Sequence, residues 1–392
     1  MKNIRLYSAC EKLLPEYLKL WQKVVNVDCG SRNGKGIARV ADYLEEELRP
    51  LRPDSLERIP MANPEDGSHL LVTFKGKGKG KIMACAHLDT VFPVGTAAER
   101  PFRIDGDWAK GPGAADCKSG VLMMVFALKL LRQFKYTDFD TITLLFNADE
   151  EISSPDSRHL IAKLAPQHDC FLCCESGQEG DGLVSSRKGA SRILVNVKGI
   201  ASHAGNAPDK GANALMECLR QIEGIKALEA PARGTTINFT VMHSGDADNV
   251  IPAEAHAIAD LRVTDPQELE RVQKAVEVLA FRASIPGTSV DTQVEIGSLP
   301  FPSNPGTREL TALAQEIYGE LGRKLVLRDV GGSSDANWAA AAGAVCVDGF
   351  GAVKGGKNHT PQECALVPSV VPRMYLLTRM LEELGHAPRL IK

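Results

Sequence analysis

No stretch of the 392 residues approaches the ~18 consecutive apolar positions that a membrane-spanning helix requires. The longest candidate, Val121 to Leu131, is short and carries Lys129, and so reads as a buried helix. An excess of one charge is also missing. Lys and Arg total 46 against 49 Asp and Glu, a net charge of −3 with no long run of either sign. Neither nucleic acid nor an anionic membrane is therefore expected as a partner. The first twenty residues mix Lys, Arg and Glu into their apolar positions and lack a secretory h-region. Ten cysteines are scattered without the framework of a small disulfide-stapled domain, which fits a reducing cytoplasm. Gly-x-Ser-x-Gly does not occur, so a serine-hydrolase elbow has no support. Gly351 to Asn358 nearly has P-loop spacing, but Asn358 stands where a magnesium-binding Ser or Thr belongs, and a His-Thr-Pro turn follows instead of a helix.

What is present is the balance of a globular enzyme, 44 % hydrophobic and 24 % charged, in a chain too long for one ordinary core. Apolar positions at helical spacing predict a helix over 34–49. Runs at 70–74 and 82–86, separated by alternating Lys and Gly, predict two strands joined by a flexible hairpin turn. A helix over 118–134 and buried strands at 141–147 and 170–174 follow, the texture of a mostly parallel sheet flanked by helices. Near residue 189 the pattern changes. Strands at 192–197, 237–241 and 255–263 alternate with helices at 210–226 and 266–284, the order of a ferredoxin-like α+β unit. The expected organisation is a catalytic domain of 1–188 plus 298–392, interrupted by an inserted domain of 189–297.

Five segments carry side chains with metal chemistry. In Cys85-Ala-His87-Leu-Asp89 the two polar residues share one face of a strand end, and a metal-binding histidine commonly leans on a carboxylate in this way. Asp116, in a glycine-rich loop before a helix, is either a metal ligand or that helix's N-cap. Asp149-Glu150-Glu151 is either a solvated acidic loop or a group of acids relieved by a cation. Cys170-x-x-Cys173 lacks a second cysteine pair and lies in an apolar strand, so packing is the better reading there, and Glu175 at the strand end is the residue of interest. His359 sits in a glycine-rich turn near the C-terminus. Strand-end loops are where α/β sheets build sites, and a mixed nitrogen and oxygen set suits zinc, with cobalt or manganese as alternatives.

These motifs occur in a recognisable order: AHLDTV, GPGAADCKSG, NADEE, CES, GIASHAGNAP, NVIP, DLR, GGSSDA and NHTPQE. In that order the sequence resembles the M20 family of metallopeptidases and deacylases, and within it the glutamate carboxypeptidases. The resemblance implies a zinc-peptidase-like α/β catalytic domain with an inserted dimerisation and lid domain. It implies two zinc ions per subunit: His87 and Glu175 on one, Glu151 and His359 on the other, and Asp116 bridging, with a cis peptide after it. Glu150 would be the general base and Asp89 the carboxylate behind His87. His203 would reach a neighbouring subunit's site in a homodimer, while Asn249, Arg262 and Gly332 would hold the substrate's carbonyl or carboxylate. The implied activity is cleavage of an amide next to a free amino-acid carboxylate, in a small peptide ending in glutamate or a similar residue. An acetylornithine or succinyl-diaminopimelate type of N-acyl-amino-acid deacylase is the alternative.

Overall fold

A computed structural model describes residues 3–280 and 283–387. The chain divides into two compact units. One is made of residues up to Ser186, Ser303–Asp329 and Ser334 onward; the other of Arg187–Pro302 and Val330–Ser333.

An eight-stranded sheet organises the first unit, in the order Ser55–Pro60, Ser68–Lys75, Thr141–Asn147, Lys81–His87, Cys170–Cys173, Cys346–Asp348, Gly182–Arg187, Val326–Val330. Its centre is parallel: Lys81–His87 runs parallel to both Thr141–Asn147 and Cys170–Cys173, which in turn is parallel to Cys346–Asp348. Every residue of Thr141–Asn147 is buried, as an apolar run covered on both faces must be. The helices Ile4–Val25, Ser119–Gln133 and Val370–His386 contribute to the hydrophobic core, and the middle one is buried along nearly its whole length. Among the described residues no helix is long and apolar enough to cross a membrane.

The strands flanking the Lys-Gly segment do not form the expected hairpin. Thr141–Asn147 lies between them, paired with Ser68–Lys75 on one side and Lys81–His87 on the other. The linker is a crossover held by backbone hydrogen bonds from Gly76 to Asp140, Lys77 to Thr137, Gly78 to Phe139 and Gly80 to Gly385. The wholly buried Thr141–Asn147 is thus covered by a strand on each side, and the lysine-bearing connection spans its end.

The second unit has strand–helix–strand–strand–helix–strand order and a four-stranded antiparallel sheet ordered Thr236–Ser244, Glu254–Val263, Gly189–Lys198, Ser289–Ser298. Alternate residues Ile193, Val195 and Val197, with Ala257, Ala259, Leu261 and Val263, face a core shared with Cys218 and Ile225 of one helix and Leu269, Val272 and Val276 of the other. That is the ferredoxin-like arrangement the alternation predicts.

One glycine fixes how a core helix meets the sheet. A Cβ on Gly120 would stand 1.5 Å from the carbonyl oxygen of Cys174, so no larger residue fits without moving the strand end that leads to Glu175. Gly120→Ala is expected to cost about 1–3 kcal/mol or more, read as a lowered urea midpoint. An unchanged midpoint would show that the contact is slack.

Candidate metal centre

Three adjacent parallel strands deliver their C-terminal ends to one place. Lys81–His87 ends in His87 and continues to Asp89; Thr141–Asn147 continues to Asp149, Glu150 and Glu151; Cys170–Cys173 continues to Glu175. Asp116 comes from a distorted turn, Ala114–Lys118, just before the buried helix, and the Asp116–Cys117 peptide is cis. Lys118, not Asp116, occupies the N-cap position of that helix, so the capping alternative falls away.

The Asp116 carboxylate divides its two oxygens. Oδ1 lies 3.2 Å from Nε2 of His87, and Oδ2 lies 3.2 Å from Nε2 of His359. Glu175 Oε1 is 3.4 Å from the same His87 nitrogen, and Glu151 Oε2 is 3.1 Å from the same His359 nitrogen. Two donor sets thus share one carboxylate. His87 is buried, whereas the His359 side chain is 52 % exposed and its backbone takes the left-handed conformation with φ 62°. The Nδ1–H of His87 donates to the backbone carbonyl of Asp89 at 2.9 Å, which fixes the tautomer and turns Nε2 toward the carboxylates.

The Asp89 carboxylate stands 3.5 Å from that Nδ1, and its closest partners lie elsewhere. Its oxygens accept from the backbone N–H of Glu150 and of Glu151, both at 3.2 Å, and from Ser31 Oγ at 2.6 Å. Asp89 therefore shapes the turn that presents both glutamates, in addition to lying beside His87. The three successive acids separate in the same way. Asp149 is buried and accepts from Ser157 Oγ and the amides of Asp156 and Ser157, Glu151 faces His359, and the Glu150 carboxyl lies in the fields of His87, Glu175 and Asp335.

Electrostatics follow from this crowding. Burial pushes the Glu150 carboxyl well above the usual range, and the charges of Glu175, Asp335 and Glu151 push it further, against the pull of His87. Burial also raises Glu151, against its hydrogen bond to His359. Burial works against ionisation of Asp116 too, yet its bonds to His359 and His87 hold it well below the ordinary value. Those bonds, first to Asp116 and then to Glu151, push His359 up to about 10. Burial would keep His87 neutral, but Cys117, Glu175, Asp116 and Asp89 drive it well above the normal histidine value. Four carboxylates face two imidazoles, an excess of negative charge in a poorly solvated space. Two divalent cations between neutral imidazoles and carboxylates would balance it, and the nitrogen and oxygen donors are of the type that zinc accepts. The residues present fit a two-metal site. Cys117 Sγ also lies within 4.8 Å of donor atoms of His87 and Glu175. It is hydrogen-bonded to the His87 backbone and burial pushes its thiol well up, so it is a weaker donor than the carboxylates. Cys170 and Cys173 are buried in their strand with their thiols likewise raised by burial, as packing cysteines should be.

The other four predicted residues belong to the second unit. His203 is exposed, its Nδ1 accepting from the amides of Gly205 and Asn206 at 3.1 Å each. The Asn249 carbonyl accepts from Ala204 N–H at 2.9 Å, and the Gly332 carbonyl from Arg187 Nη1 at 3.1 Å. The Arg262 fork is occupied by Asp260 of its own strand, with bonds of 2.9 to 3.1 Å.

Sequence reasoning missed the supports. Glu363 is buried and its Oε1 accepts from the amides of Ala115 at 3.0 Å and Asp116 at 3.1 Å. Asn358 Nδ2 donates to Asp116 Oδ2 at 2.8 Å. Asp335 accepts from Ser154 Oγ at 2.7 Å, bracing the end of the Glu150–Glu151 turn. Asn358 and Glu363 flank His359 in one motif and Asp335 lies in another, GGSSDA, so their positions were visible although their partners were not. Ser31 left no signal.

Residues 83–383 match peptidase family M20/M25/M40. Carboxypeptidase G2 of a Pseudomonas species is 33 % identical over 97 % of this chain and 92 % of its own. A succinyl-diaminopimelate desuccinylase of Dinoroseobacter shibae is 28 % identical over 64 % of this chain and 70 % of its own. Among solved structures, a Bacillus subtilis protein described as a dinuclear metal binding peptidase from the M20 family superposes with a TM-score of 0.69 at 13 % identity, covering 95 % of this chain and 98 % of that one.

The Glu363 carboxyl is raised to about 7, chiefly by burial and then by Asp116. A carboxyl whose folded pKa lies above its unfolded one stabilises fully below the unfolded value, and that contribution is lost as pH rises through the folded value. In metal-stripped protein, Glu363→Gln is therefore expected to gain stability relative to wild type between pH 5 and pH 8, measured by urea unfolding at both. An equal difference at the two pH values would contradict this.

Proposed function

The chain belongs to the M20/M25/M40 peptidase family, and from that premise we propose that it is a two-zinc carboxypeptidase releasing a C-terminal glutamate or similar residue from a small peptide. The observation that carries the reading is the Asp116 carboxylate, whose two oxygens each meet a different histidine with its own glutamate. His87, Glu175 and Asp116 would hold one ion, and His359, Glu151 and Asp116 the other; cobalt or manganese would fit the same donors. The name of the carboxypeptidase relative supports the substrate class. The desuccinylase relative supports the second reading, an N-acyl-amino-acid deacylase of the succinyl-diaminopimelate or acetylornithine type.

When bound, divalent cations supply Lewis acidity and positive charge where the scissile carbonyl gains negative charge. Glu150 takes a proton from the attacking water and passes it to the departing nitrogen as the C–N bond breaks. Asp89 keeps Glu150 and Glu151 in position through their amides. Asn249 and the Gly332 backbone hold the substrate, and Arg262 pairs with its carboxylate after giving up Asp260. His203 completes a neighbouring subunit's site in a homodimer formed through the inserted unit. Ten free, buried cysteines fit the proposed reducing cytoplasm.

The test compares C-terminal glutamyl peptides with N-acetyl and N-succinyl amino acids, using wild type and Glu150→Gln. The variant should keep its metal and lose roughly 10² to 10⁴ in kcat, and mixing it with His203→Ala should restore part of the activity. Near-normal turnover by Glu150→Gln removes the base assignment. No recovery in a verified mixed dimer removes the role of His203 in trans.

A further inference from the structure

The sheet of the second unit carries a histidine pair of its own, built by strand register. His243, in Thr236–Ser244, stands directly opposite His256 of Glu254–Val263. His256 is in turn opposite Asn196, and Asn196 is opposite Asp291 of Ser289–Ser298. The row therefore crosses all four strands. Ala255 and Ala257 flank His256, Val195 and Val197 flank Asn196, and all four face the core shared with both helices. Side chains alternate between the faces of a strand, so the row projects from the face turned away from the helices. The end of the His243 strand is held in place: Ser244 Oγ donates to the Glu254 carbonyl at 2.7 Å, and Gly245 turns the chain with φ 72°.

Three features give this pair the character of a donor set. Nδ1 of His256 lies 2.7 Å from Asn196 Oδ1. An amide oxygen only accepts, so Nδ1 carries the proton and Nε2 of the neutral ring keeps a free lone pair, as in a metal-binding imidazole. Directly opposite residues of an antiparallel pair have Cβ atoms about 4.5–5.5 Å apart, close enough for two rings to reach one ion. Both histidines also border a concavity of about 1000 Å³ whose lining holds three carboxylates, Asp246, Glu254 and Asp291, against one ammonium, Lys198. That balance favours a cation over an anion. We propose that His243 and His256 form a surface site for one divalent transition ion, held by two imidazole nitrogens with water in the remaining positions. A donor set of this kind suits nickel or copper. Each ion of the candidate metal centre has three donors that include carboxylates, so the two neutral imidazoles bind more weakly and fill after it. The site does not depend on the amide-hydrolase reading.

The experiment dialyses the zinc-loaded full chain, freed of unbound zinc, against nickel chloride and counts both metals per chain. Wild type should keep its zinc and take up one nickel ion. His243→Gln and His256→Gln change side chains on the solvent-facing side of the sheet, and retained zinc shows that each variant is folded. Each should weaken nickel uptake by about tenfold or more, and Asn196→Ala should weaken it about tenfold because His256 loses the partner that orients it. No nickel uptake by wild type, uptake matched by zinc release, or uptake that neither glutamine variant weakens would overturn the site.

Discussion

Asp116 carries a conflict that the surrounding structure resolves. Its carboxylate is buried beside Glu151 and Glu175, where like charges repel and water is scarce, yet its bonds to one imidazole at each oxygen hold it well below the usual carboxylate range. Both assignments of its oxygens depend on the orientation of the turn that bears it. Glu363 grips the amides of Ala115 and Asp116, Trp21 donates to the Ala114 carbonyl at 3.1 Å, and Tyr17 donates to the Ser119 carbonyl at 2.8 Å. The N-terminal helix is thus an outer support of the centre, reaching it through two aromatic side chains in the core.

Sheet topology supplies the remaining constraint. Parallel strands share one end, so His87, the Glu150–Glu151 turn and Glu175 converge although nearly ninety residues separate the first from the last. Gly120 lets the helix behind Asp116 approach the Cys174 backbone closely, which joins the Asp116 segment to the Glu175 segment. Asp89 links His87 to both glutamates through backbone amides. Each donor is therefore tied to another by the main chain as well as by charge, and the acids hold their places despite their repulsion.

Much of this was legible in the sequence where local pattern and long-range outcome coincide. The apolar run 141–147 could only be a covered strand, and the strand–helix alternation after 189 specified the ferredoxin-like order. The chemistry-bearing residues were legible as ordered motifs. What failed depends on pairing partners that periodicity does not encode. The Lys-Gly segment looked like a hairpin turn because two strands flank it, and nothing nearby announces that a strand sixty residues later will come between them. Asp116 taken alone looked more like a cap than a ligand, since a carboxylate before a helix has the same local signature in both roles. Asp89 showed its place beside His87 but not its hold on Glu150, and Ser31 meets Asp89 across 58 residues of sequence.

We propose that the Asp116 carboxylate joins two metal sites. Equilibrium dialysis of metal-stripped wild type and Asp116→Ala against zinc, with bound metal counted per chain, tests it most directly. Wild type should take up two ions per chain, and the variant should lose both at the same free zinc concentration, because each donor set depends on an Asp116 oxygen. Uptake of two ions by Asp116→Ala with undiminished affinity, or of fewer than two by wild type, would contradict the account.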